Sequence, residues 1–531
     1  MDTDVLIVGA GPTGLMLANQ LARRGVRAII VDRHAGPSKH TRALGVQART
    51  MEIYSQLGIV DRARELGKVG AGADIWARGR HMARVPLGSA GKDLTPYPYI
   101  FILGQDDNER ILGDRLHDWG LAVQWNTELI ALDQQAGRVV ATLKRTDGTR
   151  RTISAAWVAG CDGAQSAVRE LNRIGFPGAP YEHVFFVADA NATGTMVPDE
   201  VNVYLLAQGF HLFFPMRGQG HWRIVGILPT ALRGRQDLAF DDVIPLIRAE
   251  AGAGLTFQGC SWFSTYRIHH RAAARFRDRR CFLLGDAAHI HSPVGAQGMN
   301  TGLQDAYNLA WKLALVVAGA AAPALLDTYE EERLPVARRL LATTDRAFRL
   351  IVSDSWLAAL LRTQVLARIG ALALKLERVQ TAAFRTVSQL GIHYRASSLS
   401  RATGAPDRHG PQPGDRFPWL QLRFSANGPV EDSFQKLDDT RFNLLLFGQP
   451  MPDGVRLDHD GLFAVHAIPV DAFNENVRAR AKIAKPSFYL LRPDGHVGLR
   501  GGHLDVAAIS RYASEWLRVP ASAGGMPTYR P

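Results

Sequence analysis

Glycines and single acidic residues recur at three places in this 531-residue sequence, each time directly after a short apolar run. The first place is a turn with the residues Gly9, Gly11, Pro12, Thr13 and Gly14. Asp32, with Arg33 beside it, ends the next apolar run. Glycines at this spacing let the backbone turn tightly, approach a pyrophosphate and pack a helix against a strand, and the acid accepts from ribose hydroxyls. The spacing predicts a dinucleotide site.

The third place along the chain follows the apolar run Cys281–Leu284, which we interpret as a strand. Gly285 and Asp286 stand at its end, and a Pro/Gly-rich segment at 292–302 leads into a long helix that reaches Lys312. Glycines here let the backbone approach a flat group, while the first N–H groups of the helix point at it. The alternative is an ordinary strand-to-helix turn capped by an aspartate.

The second place along the chain, between these two, is the segment Gly160–Arg169, which follows the apolar run Trp157–Ala159. It contains Asp162 and opens a further helix with Ser166 near its start. Two glycine–aspartate turns of this kind, together with the glycine fingerprint near the N-terminus, indicate one large cofactor.

The elements that must position these turns begin with a strand, a helix and a strand at Asp4–Val8, Leu15–Arg24 and Ala28–Val31. Arg42 and Arg49 stand near the start of a helix predicted at Met51–Leu57, where stability does not require an arginine. A phosphate or cofactor contact is therefore expected, although for Arg49 a solvated position is an equal alternative.

Further strands and a helix complete this part of the chain. Gln105 precedes a helix predicted at Asp107–Leu116, where it either binds a cofactor or caps the helix. Alternating patterns predict a meander with strands at Ala122–Trp125, Val139–Leu143 and Trp157–Ala159.

Aromatic and β-branched residues predict four strands within residues 183–270, at 184–188, 201–206, 210–215 and 222–228. An antiparallel sheet of these strands would cover the cofactor and form an apolar pocket. Tyr204 and His211 are polar candidates for that pocket. The pairs His269–His270 and His289/His291 suggest a metal, but we expect none, because no carboxylate or cysteine nearby completes a site.

The composition favours a multi-domain enzyme, with 46% hydrophobic residues. Lys and Arg are scattered, so the net charge of +12 indicates anionic cofactors and substrates and not nucleic acid. Three separated cysteines and a strand at the very N-terminus favour a reducing cytoplasm without a signal peptide. No apolar run reaches the ~18–20 residues of a membrane span, so residues 313–326 and 356–376 are expected to pack on the body or in a homodimer.

Three motifs follow one another along the chain: G-x-G-x-x-G at Gly9–Gly14, C-D-G-x-x-S-x-V-R at Cys161–Arg169, and G-D-A-A-H followed by G-x-x-G-x-N within Gly285–Asn300. In this order they resemble the class A FAD-dependent aromatic hydroxylases, the family of para-hydroxybenzoate hydroxylase and phenol hydroxylase. The resemblance covers residues 1–345 with specific motifs and extends more loosely to the C-terminus.

The resemblance implies an α/β fold, with a Rossmann-like FAD-binding domain, an inserted antiparallel substrate-domain sheet and a C-terminal thioredoxin-like α/β domain. The implied boundaries are 1–75, 104–180 and 271–345 for the FAD-binding domain, 76–103 and 181–270 for the substrate domain, 346–400 for a helical connection and 410–531 for the thioredoxin-like domain. The last range has no cysteine, so a structural or dimer role is expected in place of thiol chemistry.

The resemblance also implies the FAD contacts, which are Gly9, Gly11, Pro12, Thr13, Gly14, Asp32, Arg33, Arg42, Gln105, Asp162, Gly285, Asp286, Pro293, Gly298, Met299 and Asn300. NADPH or NADH would reduce the FAD without a separate nicotinamide fold. O2 would then give a flavin hydroperoxide that passes one oxygen to a phenolic or polycyclic aromatic substrate. His211 or Tyr204 would deprotonate the substrate.

Other chemistry shares the FAD fingerprint, because a fold does not fix a reaction. A dehydrogenase, an epoxidase and a Baeyer–Villiger-type oxygenase stay open. A flavin halogenase is disfavoured, since the sequence has no W-x-W-x-I-P segment. A non-enzymatic flavin-binding regulator would hold a flavin that NAD(P)H never reduces.

Overall fold

The computed structural model describes residues 1–38, 43–206, 209–228, 232, 234–235, 237–252, 254–291, 297–352, 376–404, 409–452 and 461–517. Arg42 and Pro293, two of the predicted cofactor contacts, lie outside these ranges, as does the apolar stretch 356–375. Among the helices in the described ranges, none combines the length and the hydropathy that crossing a lipid bilayer requires.

The described helices are α1 (Pro12–Ala22), α2 (Ala48–Leu57), α3 (Val60–Leu66), α4 (Leu87–Gly91), α5 (Gln105–Asp118), α6 (Ala167–Leu171), α7 (Phe240–Ala251), α8 (Gly298–Val317), α9 (Asp327–Val352), α10 (Glu377–Val387), α11 (Ser433–Lys436), α12 (Ala472–Arg480) and α13 (Val506–Trp516). The strands up to the first glycine–aspartate turn are β1 (Thr3–Val8), β2 (Ala28–Val31), β3 (Gly45–Val46), β4 (Lys68–Gly70), β5 (Gly72–Ala77), β6 (Arg80–Pro86), β7 (Ile100–Ile102), β8 (Thr127–Gln135), β9 (Arg138–Arg145) and β10 (Arg150–Gly160). The remaining strands are β11 (Gly178–Thr193), β12 (Val201–Leu206), β13 (Gly209–Pro215), β14 (His221–Ile227), β15 (Thr256–Ala272), β16 (Arg277–Asp278), β17 (Cys281–Leu283), β18 (His289–Ile290), β19 (Arg401–Ala402), β20 (Gln421–Arg423), β21 (Val430–Asp432), β22 (Phe442–Phe447), β23 (Phe463–Ile468), β24 (Ser487–Leu491) and β25 (Val497–Gly501).

A sheet with a parallel centre, here called the central sheet, organises the N-terminal part of the chain. Its order is β16-β17-β10-β1-β2, and β9 and β8 continue from β10 as an antiparallel meander. β1 runs parallel to β10 and β2, and β10 runs parallel to β17. Val5, Leu6 and Ile7 are all fully buried, as expected for a parallel strand that is covered on both faces. Since parallel strands end at one edge, the turns after β1, β10 and β17 meet there.

One predicted strand of the meander is wrong. The segment Ala122–Trp125 contributes only an isolated bridge between Val31 and Gln124, and the strand is β8 instead. A β-bulge between Leu129 and Ala131 interrupts the alternation of β8, because it adds a residue to one strand only. The sequence pattern of β8 therefore does not show a clean period of two.

A second sheet, here called the large sheet, has the order β18-β15-β11-β14-β13-β12-β5-β6. β12 and β5 are parallel, and the other neighbours are antiparallel. The four strands predicted between residues 183 and 270 are confirmed as β11, β12, β13 and β14. Because β5, β6 and β18 come from other parts of the chain, the large sheet is tied to the central sheet at both of its edges.

The two faces of the large sheet have different neighbours. On the face that we call the outer face, α7 packs Val243 and Ile247 against Phe213. On the opposite face, the inner face, Phe214 packs against Ile102 of β7. The inner face is therefore directed toward the part of the chain that contains the central sheet.

Residues 401–517 form a second α/β unit, here called the C-terminal unit, with the strand order β19-β25-β24-β22-β23. The strands predicted at 443–447, 463–468 and 487–491 are confirmed as β22, β23 and β24. The sequence analysis missed β25, which starts at Val497 where the predicted turn ends. Gly498 and Gly501 weaken its strand signal, because glycine disfavours strands.

Candidate functional site

The three glycines of the first turn are in different surroundings. Gly9 follows β1 with φ of +101°, and a Cβ there would lie 2.3 Å from the carbonyl oxygen of Cys161. A Cβ at Gly14 would lie 1.9 Å from the Gly9 carbonyl oxygen, so α1 and β1 approach each other closely. A Cβ at Gly11 would have no heavy atom within 4 Å. The backbone at Gly11 is therefore open to a ligand.

Asp32 lies at the end of β2 and fixes the first turn. Its Oδ2 accepts a hydrogen bond of 2.7 Å from the Ala10 N–H, and its Oδ1 accepts one of 2.8 Å from the His34 N–H. Oδ1 also lies 2.8 Å from His34 Nδ1, so both of its lone pairs have a partner. Oδ2 keeps one lone pair that can accept from a further donor, such as a ribose hydroxyl.

A cleft of about 640 Å³ lies at this edge of the central sheet, within the size range of small-molecule sites. Its walls bring together the predicted contacts Gly9, Gly11, Asp32, Arg33, Gln105 and Asp162. The Gln105 amide donates to Glu109 Oε1 over 2.8 Å, so this side chain also orients a neighbour within α5. Burial raises the pKa of the Glu109 carboxyl.

Asp162 follows β10 and contributes a buried oxygen to the site. Its Oδ2 accepts from the Val168 N–H over 3.2 Å, whereas its Oδ1 is buried without a hydrogen-bond partner among the described residues. Desolvation raises the pKa of this carboxyl. A buried acceptor without a partner is costly, so Oδ1 suits a donor supplied by a ligand.

The third turn packs on the first. Gly285 has φ of +58°, and a Cβ there would lie 2.7 Å from Thr13 Oγ1. A Cβ at Gly302 of α8 would lie 2.4 Å from the same oxygen. Thr13 is therefore held between two glycines, so the first and third turns are in direct contact. Asp286 is exposed beside Gly285.

A buried ion pair holds the third turn in place. Asp305 of α8 accepts the Gly285 N–H with Oδ2 over 3.0 Å, and its Oδ1 accepts from Arg333 Nε over 2.6 Å. His289 Nε2 lies 2.8 Å from Asp305 Oδ2, so Asp305 accounts for this histidine without a metal. The sequence analysis missed Asp305 and Arg333, and a charged residue inside the apolar helix that follows the third turn was the available signal.

The start of α8 is fastened by Asn300. Its Oδ1 accepts from the Gln47 N–H and from Thr50 Oγ1, both over 2.8 Å, and its Nδ2 donates to the Gly45 carbonyl over 2.8 Å. The Asn300 side chain thus joins α8 to α2. Contacts of a cofactor with the backbone N–H groups at Met299 and Asn300 stay a prediction.

The two residues predicted to deprotonate the substrate lie on the outer face of the large sheet. Tyr204 stacks on Trp76 at 5.6 Å between ring centroids, and burial raises the pKa of its phenol. His211 is buried against Phe186, and desolvation lowers its pKa to about 3. A histidine with this pKa is a weak base at neutral pH. The placement of both side chains argues against the predicted role.

Arg49 neither contacts the cleft as predicted nor lies in solvent. It is buried, its Nη1 donates to Glu52 Oε2 over 2.9 Å, and its Nη2 donates to the Asp494 carbonyl oxygen over 2.8 Å. The prediction was wrong because one partner comes from the C-terminal unit, far along the chain.

Residues 2–344 match the protein family described as FAD binding domain. The chain belongs to this family. Its relatives include 6-methylpretetramide 4-monooxygenase of Streptomyces rimosus, 33% identical over 526 residues that cover 94% of this chain and 90% of the relative. Pentachlorophenol 4-monooxygenase of Sphingobium chlorophenolicum is 31% identical over 530 residues, which cover 97% and 90% of the two chains.

A solved structure similar to this chain is a ternary complex of aklavinone-11 hydroxylase with FAD and aklavinone. The TM-score is 0.75 at 26% identity, and the match covers 96% of this chain and 98% of that chain. This protein is an FAD-dependent enzyme of the same monooxygenase and hydroxylase class.

Proposed function

We propose that this enzyme hydroxylates a phenolic or polycyclic aromatic compound, with NADPH or NADH and O2 as co-substrates. The observation that carries the proposal is the meeting of three glycine-containing turns at one edge of the central sheet. The inner face of the large sheet is directed toward the part of the chain that contains this central sheet. The relatives named for 6-methylpretetramide and for pentachlorophenol support this substrate class.

The residues at the three turns fit FAD. Open space over Gly11 suits the pyrophosphate, and the carboxylate of Asp32 suits the adenosine ribose. The buried Asp162 Oδ1 and the exposed Asp286 carboxylate offer acceptors for hydroxyl or N–H groups of the other parts of FAD. FAD bound here supplies the acceptor for hydride and the means to activate O2. The protein's own contribution is to orient the substrate and exclude water.

The inner face of the large sheet is our candidate for the substrate wall. Trp262, Tyr266 and Phe214 are partly exposed on this face, so flat apolar surface is available to a ring system. Arg223 also lies on this face and pairs with Asp189, with Nε to Oδ1 at 2.7 Å. A mainly aromatic wall with one charged pair suits an aromatic substrate that carries a polar group.

We infer a thioredoxin-like arrangement for the C-terminal unit from the order of its elements. β22 lies between its parallel neighbour β23 and its antiparallel neighbour β24, and β25 follows antiparallel to β24. α12 connects β23 to β24, and α13 follows β25. We infer a thioredoxin-like domain with a structural or dimer role, because residues 410–531 contain no cysteine. The domain boundaries given under Sequence analysis stay part of this proposal.

The test is oxidation of NADPH and NADH in air by the FAD-loaded enzyme, with phenols and linear polycyclic aromatics as a panel. We expect a substrate to accelerate the oxidation and to gain one oxygen atom by mass. A Gly11→Glu variant is the control, since its carboxylate would occupy the open space and repel a pyrophosphate.

Other outcomes assign other functions. A product that has lost two hydrogens, formed without NAD(P)H, would identify a dehydrogenase. An epoxide or a ring-expanded lactone would identify the other oxygenase reactions. Bound FAD that neither nicotinamide reduces, with or without the panel, would identify a flavin-binding regulator and contradict the proposal.

A further inference from the structure

A buried ion cluster joins the C-terminal unit to α8 and α9. Glu332 of α9 accepts from Lys312 Nζ over 2.8 Å and from Arg492 Nη2 over 3.1 Å, and all three side chains are fully buried. Arg492 also pairs with Asp494 of the turn between β24 and β25. Buried charges of this kind must stay paired, since an unpaired one is strongly destabilising. The turn at 492–496 is therefore fixed to the N-terminal part of the chain.

From this cluster, contacts continue to the third glycine turn of the cofactor site. The Tyr394 ring lies 4.4 Å from the His496 ring and 5.3 Å from the Arg492 guanidinium. The Tyr394 hydroxyl accepts from Arg333 Nη1 over 2.9 Å. Arg333 in turn holds Asp305, which accepts the Gly285 N–H.

A second route reaches the start of α8. The carbonyl oxygen of Asp494 accepts from Arg49 of α2. Gln47 and Thr50, on either side of Arg49 in the sequence, both donate to Asn300. The turn at 492–496 thus contacts both polar networks, the one that holds the Gly285 turn and the one that holds the start of α8.

We propose that Tyr394 and Asp494 are positioning residues of the cofactor site, although both lie beyond the residues 2–344 that match the FAD-binding family. They do not touch the cleft themselves. They hold Arg333 and Arg49, which fix the Gly285 turn and the start of α8. The inference rests on the proposed FAD site and goes beyond it, because it gives the C-terminal unit a part in cofactor binding.

The first experiment compares two tyrosine variants. Tyr394→Phe removes the hydroxyl that Arg333 uses, and Tyr512→Phe removes a buried hydroxyl of the C-terminal unit that donates to Leu399 over 2.9 Å. FAD is titrated into each apoprotein, and flavin fluorescence, the visible flavin spectrum and the melting temperature are recorded. One lost hydrogen bond next to a buried charge should raise the Kd for FAD about three- to tenfold in Tyr394→Phe.

The control variant separates positioning from stability. Tyr512→Phe should lower the melting temperature of the apoprotein by a similar amount and leave the Kd and the flavin spectrum as in the wild type. Equal Kd values for both variants and the wild type would overturn the proposal. Equal increases in both variants would overturn it too, because the effect would then follow general destabilisation.

A second pair tests Asp494. Asp494→Asn keeps the carbonyl oxygen that accepts from Arg49, but it weakens the side-chain contacts that set the turn, namely the pair with Arg492 and the hydrogen bond from the His496 N–H over 3.2 Å. The control Asp439→Asn weakens a partly buried pair between the two units, in which Arg23 Nη2 lies 2.7 Å from Asp439 Oδ1. Only Asp494→Asn should weaken FAD binding beyond its effect on stability. If Gly11→Glu binds FAD as the wild type does, the proposed cleft fails, whatever the result for Tyr394 and Asp494.

Discussion

At the scale of single residues, the first turn of the site depends on its glycines. Gly9 and Gly14 are required because backbone atoms occupy the space that a Cβ would need, whereas a Cβ at Gly11 would enter the open space that we propose for the FAD pyrophosphate. These positions could be predicted from the sequence because their spacing, between a strand and a helix, is that of a known motif. The contact of Gly9 with the Cys161 carbonyl, far along the chain, could not be predicted. Asp305 could not either, because its partners Gly285 and Arg333 are brought to it only by the packing of α8 on α9.

The different surroundings of Gly14 and Gly11 predict different effects of the same substitution. Gly14→Ala places a methyl group against the Gly9 carbonyl and should destabilise the apoprotein by about 1–3 kcal/mol. Gly11→Ala meets no atom within 4 Å and should leave the apoprotein stable while it weakens FAD binding. Urea unfolding and FAD titration check both. A Gly11→Ala protein that binds FAD normally would contradict the assignment of the pyrophosphate.

The raised pKa of Asp162 predicts the sign of the pH dependence that this carboxyl gives to the stability of the apoprotein. Desolvation raises its pKa in the folded state, while the unfolded carboxyl has a pKa of about 3.9. The folded state then binds more protons, so this carboxyl makes the apoprotein less stable as the pH rises through the folded pKa. Asp162→Asn should therefore be more stable than the wild type at neutral pH, and the difference should vanish below about pH 4.

Urea unfolding of the apoprotein across pH 3–8 measures this difference. Asp147→Asn is a control of opposite sign, because hydrogen bonds from Thr149 lower the pKa of the exposed Asp147 carboxyl. That variant should lose stability at neutral pH and recover it in acid. A wild type that stays less stable than Asp162→Asn in acid would exclude the titration of Asp162 as the cause.

At the scale of elements, the position of a residue on the large sheet determines which face its side chain lies on. Alternation along β13 was visible in the sequence, and it separates Phe213 from Phe214. Which of the two faces is directed toward the N-terminal part of the chain was not visible, because that depends on the position of α7, a helix with no local link to β13. Residue type alone predicts Tyr204 and His211 as pocket residues, and both lie on the outer face.

Neighbouring phenylalanines on β13 test the two faces. Phe213→Ala removes a fully buried ring beneath α7 and should cost about 3–5 kcal/mol of unfolding free energy. Phe214→Ala removes a partly exposed ring of the inner face, so it should cost less stability and instead raise KM for the aromatic substrate and the yield of peroxide per NAD(P)H. Unchanged steady-state kinetics in Phe214→Ala would contradict the substrate wall.

At the scale of the whole molecule, the N-terminal part and the C-terminal unit share one set of buried charges. Arg49 shows why such contacts escape sequence reasoning, since the residue that accepts its hydrogen bond stands 445 positions later. The motifs predicted the FAD-binding family correctly, because each motif is short and its partners lie at one sheet edge, whereas the individual FAD contacts stay predictions. The cluster around Glu332 has no such signature.

Breaking the buried ion cluster around Glu332 should lower the free energy of unfolding by a large amount that does not depend on salt. Glu332→Gln leaves Lys312 and Arg492 without their shared carboxylate and should cost about 3–5 kcal/mol of unfolding free energy. Glu65→Gln is the matched control, because Glu65 pairs with Arg62 at the surface over 2.7 Å and should matter by less than about 1 kcal/mol. Unfolding in low and high salt distinguishes the two, since only the surface pair is screened. A strong salt dependence in the Glu332 comparison would contradict its burial.

Thr13, held between Gly285 and Gly302, has a consequence for the order in which the protein is made. The ribosome makes the two glycines that enclose Thr13 more than 270 residues after Thr13 itself. The turn at Asp494 follows later still, and at typical elongation rates it appears roughly 25–100 s after Gly9. The proposed cofactor site therefore cannot close on the nascent chain until these later segments have been made.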